Sequence, residues 1–103
     1  MKLKPVVDLS PVTLEEFTWN QQIFCFLQPL TLKPEWNEAE RLFTVEYQDL
    51  NLYVFTESQA LIIDEIFEQL AFLWDAYVDV EPNKLAPDAL QLRERLMDFM
   101  VKV

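Results

Sequence analysis

The chain has no glycine and no histidine among its 103 residues, one cysteine, and 8 lysines and arginines against 18 aspartates and glutamates. Each shortage excludes something. Without glycine there is no Gly-rich phosphate loop, which removes the common nucleotide-binding motifs. Positions that need a positive φ are expected to fall to Asn or Asp, the next most tolerant residues. Without histidine the commonest general base and the commonest metal ligand are missing. The lone Cys25 allows no intramolecular disulfide and no structural zinc site. Serine nucleophiles are restricted to Ser10 and Ser58. Ser10 follows a leucine near the start, and Ser58 sits where a helix is expected to begin and capping accounts for it.

Positive charge is the scarcest resource locally. The net charge is −10, and between Arg41 and Lys84 there are nine acids and no Lys or Arg. Such a field repels nucleic-acid phosphate and anionic lipid and attracts basic partners. The small basic cluster in the last helical stretch is diluted by Asp88, Glu94 and Asp98. No apolar run approaches the roughly 20 residues of a membrane span. Lys2 and Lys4 are followed by no apolar signal region, so the expected compartment is the cytoplasm.

What is abundant is apolar surface. The chain is 51% hydrophobic and 14% aromatic, a globular composition for one domain. So much aromatic area in so short a chain is expected to meet a partner or a second copy as well as the core.

The pattern predicts an α+β domain: an antiparallel meander of three to four strands packed against a long amphipathic helix, with a second C-terminal helix. Residues 1–11 read as a lead-in, with an edge strand over Pro5–Leu9. Residues 12–56 carry the sheet. The runs Thr13–Trp19 and Gln22–Leu32 meet at Asn20-Gln21, where Asn20 suits the left-handed φ of a two-residue hairpin. Pro29 implies an edge or a bulge. "KPEWNEAER" reads as a polar connection. Leu42–Tyr47 alternates, Gln48-Asp49-Leu50-Asn51 turns, and Leu52–Phe55 returns. Cys25, alternating with Ile23 and Leu27, is expected to be a buried, inert thiol. Glu15 and Glu16 are expected on opposite strand faces.

Residues 57–79 carry the long helix. Thr56 with Gln59 fits a capping box, and Ser58 is an alternative cap. Ile62, Ile63, Ile66, Phe67, Leu70, Ala71, Leu73, Trp74 and Tyr77 cover about half the circumference, more than one contact needs. That breadth predicts contact with the sheet and with either the last helix or another subunit. The opposite face holds Glu57, Asp64, Glu65, Glu68, Asp75 and Asp79. Within it lie Leu61 and Phe72, eleven residues and so three turns apart on one line. Two readings stand for this pair: packing under the C-terminal segment, or an apolar anchor in a charged rim. The predicted partner-binding set is Leu61, Asp64, Glu65, Glu68, Phe72 and Asp75. Residues 86–102 carry the second helix, opened by Pro87 and Asp88, with Ala89, Leu92, Leu96, Phe99, Met100 and Val103 as its apolar stripe.

Carboxylates are the plentiful reactive groups. Asp64 and Glu68 lie one turn apart and could share a divalent ion, but acids along one helix side are usually a solvated face. No catalytic residue, metal site or cofactor is assigned, and the chain is not expected to be an enzyme.

"FTVEYQDLNLYVFTESQALIIDEIFEQL", within residues 41–70, resembles the core of HicB-like antitoxin domains. In that family a strand ends in a Pro-Asp/Glu-Leu turn, a second strand follows, and a Gly-Asp-Thr-type cap opens an acidic amphipathic helix. Here Gln48-Asp49-Leu50 stands at the turn and Thr56-Glu57-Ser58 at the cap. Gln48 replaces the proline, and Asn51 and Thr56 replace glycines. The family often adds a DNA-binding segment, whereas one helix of mixed charge follows here. Over the whole chain, "FTWN", "LTL", "LAFLW" and "PDAL" are similar to landmarks of small cyanobacterial proteins that carry no established function.

The resemblance implies an antitoxin-type module that masks a small basic RNase toxin. The alternative is a homodimeric structural or assembly protein without catalytic activity. Neither reading involves nucleic acid or membrane.

Overall fold

The computed structural model describes residues 9–103; residues 5–8 of the strand expected at Pro5–Leu9 fall outside that range, and Leu9 itself is in no strand. The class is α+β. The described residues form six strands and two α-helices: β1 (Val12–Trp19), β2 (Gln22–Leu32), β3 (Glu35–Asn37), β4 (Leu42–Tyr47), β5 (Leu52–Thr56), α1 (Ile62–Tyr77), α2 (Pro87–Phe99) and β6 (Met100–Lys102). In place of one meander there are two antiparallel sheets, ordered β1-β2-β6 and β3-β4-β5.

The first hairpin forms as its residues predict. Asn20 and Gln21 both take positive φ, 48° and 66°, as the mirror-image turn that matches strand twist requires. Restricting such positions to Asn and Asp proves too narrow. Gln21 and Arg41 (φ 56°) also adopt them, because a glycine-free chain still has tight reversals to make. The left-handed conformation costs a non-glycine residue about 1–2 kcal/mol. At the second reversal the Asn37 side chain accepts a bond from the Glu40 N–H at 3.1 Å, and Arg41 then feeds β4.

The register of β1 against β2 breaks between Leu14 and Glu16, which pair with Leu30 and Cys25. The extra β2 residues include Pro29, which has no N–H to give a ladder. The break also ends strict alternation in β1, so Glu15 and Glu16 are both exposed and not on opposite faces. Phe24 and Phe26 point inward. Ile23, Cys25 and Leu27 therefore lie on the outer face, and the expected buried thiol is corrected to a partly exposed one, 3.9 Å from Glu16 Oε2.

Two strands lie where none was expected. The "polar connection" contains β3, held by Glu35 opposite Thr44 and by Trp36 packed on Phe43 at 4.7 Å. The second helix stops at Phe99, not at residue 102. Met100 turns extended (φ −149°, ψ 165°) and drops its side chain, fully buried, beside Phe26. Val103 is consequently exposed, not part of a helical stripe, and its N–H donates to the Ile23 carbonyl at 2.8 Å.

One core joins both sheets through α1, which packs on β1, β5 and α2. This explains the breadth of its apolar arc. Ile66, Leu70, Ala71, Leu73 and Trp74 are buried. Phe67 stacks on Phe17 at 4.6 Å, Phe17 stacks on Phe24 at 4.8 Å, and Phe24 meets Trp74 edge-on at 5.9 Å. Ile63 belongs to the same arc by angle yet is exposed, since it sits in the first turn where the packing ends. The helix starts later than residue 57: Gln59–Leu61 form a 3-10 turn, and no side-chain N-cap bond is made to α1. Thr56 Oγ1 instead closes a local turn, accepting from the Ser58 N–H at 3.3 Å.

The other end of α1 is closed by Arg93 of α2. Its Nη1 donates to the carbonyls of Tyr77 (3.0 Å), Val78 (2.6 Å) and Val80 (3.3 Å). A cation there satisfies orphan carbonyls and complements the negative end of the helix dipole. Arg93→Ala is expected to lower the unfolding free energy by about 1.5–3 kcal/mol, the range for hydrogen bonds to a charged group. Arg93→Lys should restore only part of it, since an ammonium cannot reproduce the guanidinium fork. Urea titration of both variants checks this; equal stability of Arg93→Ala and the parent would show that the contact carries nothing.

Candidate functional site

The outward face of α1 follows from the burial of the other one. With Ile66, Leu70, Leu73 and Trp74 turned into the core, Asp64, Glu65, Glu68, Phe72 and Asp75 are turned to solvent. Leu61, at the end of the preceding 3-10 turn, is 48% exposed and Phe72 is 65% exposed. Neither packs under the C-terminal segment.

Not all six predicted residues form one spot. Glu65, Glu68 and Phe72, with Gln69, line a shallow hollow of ≈ 300 Å³. Leu61 lies about 16 Å from Phe72 along the axis, from 1.5 Å of rise per residue. Asp64 and Asp75 flank the hollow without lining it.

Most of these acids make no ion pair among the described residues. Of the nine between Arg41 and Lys84, Asp79 pairs with Lys102 and Glu81 with Lys84. Asp64, Glu65, Glu68 and Asp75 have no ion-pair partner among the described residues. Asp64 and Glu65 in the first turn complement the helix dipole, which gives them a structural use as well. No three Asp, Glu or Cys side chains converge as a metal-binding group among the described residues. No helix there is long and apolar enough to cross a membrane.

Three residues missed in the sequence extend this surface. The Gln69 side chain makes two bonds to the backbone of Tyr53 on the edge strand β5. Its Oε1 accepts from the Tyr53 N–H at 2.6 Å, and its Nε2 donates to the Tyr53 carbonyl at 2.8 Å. This joins the flank of α1 to β5, whose Tyr53 and Phe55 are 50% and 59% exposed with ring centroids 5.8 Å apart. Their exposure was readable, because Leu52 and Val54 claim the inward positions of a period-2 strand. Nothing in the sequence marks Gln69, whose role depends on where α1 lies against β5.

A larger hollow of ≈ 500 Å³ opens beside the β2 bulge, lined by Leu27, Gln28, Pro29, Leu30, Tyr47, Asp98 and Phe99. Asp98 is its single charged group, so it offers no paired acid and base. The chain was compared with protein-family models, curated proteins and solved structures, and none of them matches it.

Proposed function

We propose that the protein is a non-catalytic binding module that masks a basic protein partner on the outer face of α1. The observation that carries this reading is Phe72, the aromatic of α1 left 65% exposed, which lines one hollow with Glu65 and Glu68, neither of which has an ion-pair partner among the described residues. An aromatic anchor inside a charged rim is how binding energy is commonly distributed in interfaces. The acids would speed encounter with a cationic surface and select against anionic ones. The resemblance of residues 41–70 to HicB-like antitoxin domains supports the same reading and suggests a small basic RNase as the partner class.

The test is co-purification from the native cells at low salt, comparing the tagged protein with a Glu65→Lys, Glu68→Lys variant. The expected result is a small basic protein held by the parent, released by high salt and absent from the variant. Capture that is indifferent to both salt and charge reversal would overturn the reading.

A second reading, self-association, is favoured by a different observation. Ile23, Leu27, Val101 and Val103 are exposed on the outer face of the β1-β2-β6 sheet. Recovery of the protein alone, sedimenting at twice the monomer mass and returned to monomer by Ile23→Lys, would support a homodimer with an assembly role.

A further inference from the structure

We infer that the edge of β5 away from β4 is a strand-addition site for an extended basic segment, with the Gln69 side chain as its displaceable plug. The inference rests on the proposed docking function and specifies how the partner is held.

The geometry begins with direction. Both backbone groups of Tyr53 bond to Gln69, so they point away from β4, where Tyr53 faces Glu46 across the ladder. Phe55, two residues on and opposite Thr44, turns its N–H and C=O to the same edge. No strand lies beyond this edge among the described residues, and an edge of this kind is a template for another strand.

The Gln69 amide reproduces one rung of such a strand, since a primary amide presents one acceptor and one donor side by side, as a peptide group does. An incoming strand that takes over the Tyr53 N–H and C=O replaces two bonds with two and releases Gln69, already partly exposed, to water. The exchange at Tyr53 is close to neutral, and the pairing at Phe55 is a gain. A ligand without extended backbone cannot make this trade, so the plug also selects for shape.

The surroundings specify the side chains. On the exposed sheet face Tyr53 and Phe55 offer aromatic surface to alternate residues of the added strand. On the flank, Glu65 and Glu68 line the hollow that Gln69 and Phe72 share. A segment alternating Lys or Arg with β-branched apolar residues satisfies both sides.

The probe is a terminally blocked ten-residue peptide alternating lysine and valine. Two controls carry N-methyl groups on all valines or on all lysines, which keeps the charge and strips the donors from one edge. Titration is followed by calorimetry and by amide NMR of the labelled full chain. The expected result is that the parent peptide binds and one control loses at least about tenfold in affinity, the effect of two lost backbone bonds. On binding, Phe55 N–H exchange should slow and the Gln69 side-chain amide resonances should move toward solvent values. Gln69→Ala should bind the peptide at least as tightly as the parent protein. If both controls bind like the parent peptide and only Glu65, Glu68 and Phe72 respond, strand addition is overturned while docking on α1 stands. If the parent peptide does not bind at millimolar concentration, strand addition is overturned as well. The co-purification with charge reversal then decides separately whether the docking function survives.

Discussion

Leu70→Ala and Ile66→Ala are each expected to lower the unfolding free energy by about 2–5 kcal/mol, the span of large-to-small changes at buried sites. Both side chains are 0% exposed. They lie on the helix that links the two sheets, so the space left by truncation is bounded by elements on several sides and cannot collapse from one of them. A domain of this size has a total stability of about 5–15 kcal/mol, so either change removes a large fraction. Ile66 and Leu70 are one turn apart on the same line and share neighbours, so the double variant should depart from additivity. Urea titration with an unchanged m-value is the measurement. A loss below about 1 kcal/mol at both sites would mean that α1 is not the centre of the core.

The inner face of α1 was legible before the structure, and the reason is periodicity. Ile66, Leu70, Leu73 and Trp74 repeat at helical spacing, and the arc is wide because the helix meets β1, β5 and α2. The outer acidic face with Leu61 and Phe72 was legible for the same reason. The hairpin at Asn20-Gln21 and the bulge at Pro29 were marked by local residue chemistry.

What escaped was set by distant partners. β3 and β6 are each three residues long, too short to display a period, and each exists because a longer strand lies beside it. Met100 continues the helical stripe of α2 by spacing, yet pairing with β2 outweighs one further helical turn. Cys25 was assigned to the wrong face because Ile23 and Leu27 are apolar, although the face actually buried is that of Phe24 and Phe26. Arg93 and Gln69 belong to the same class. Each closes backbone groups of an element fifteen or sixteen residues away, Arg93 the end of α1 and Gln69 the edge of β5. Local pattern carries no trace of either.

Phe72→Ser separates stability from binding on one helix. At 65% exposure, Phe72 gives the fold little burial to lose. Serine and phenylalanine have similar helix propensities, so the unfolding free energy should stay within about 0.5 kcal/mol of the parent. Affinity for the basic partner recovered at low salt should fall by about 2 kcal/mol or more, roughly thirtyfold, as for a central aromatic anchor. Glu68→Lys beside it should act differently: a rim charge changes association rate and its salt dependence more than dissociation. The pair of variants, compared by surface plasmon resonance across a salt series, thus assigns Phe72 to the off-rate and Glu68 to the on-rate. If Phe72→Ser unfolds the protein, Phe72 is core and the docking surface is wrong. If it leaves both stability and partner affinity unchanged while Tyr53→Ser weakens binding, the partner is held at the β5 edge alone, and the acids of α1 steer it there without touching it.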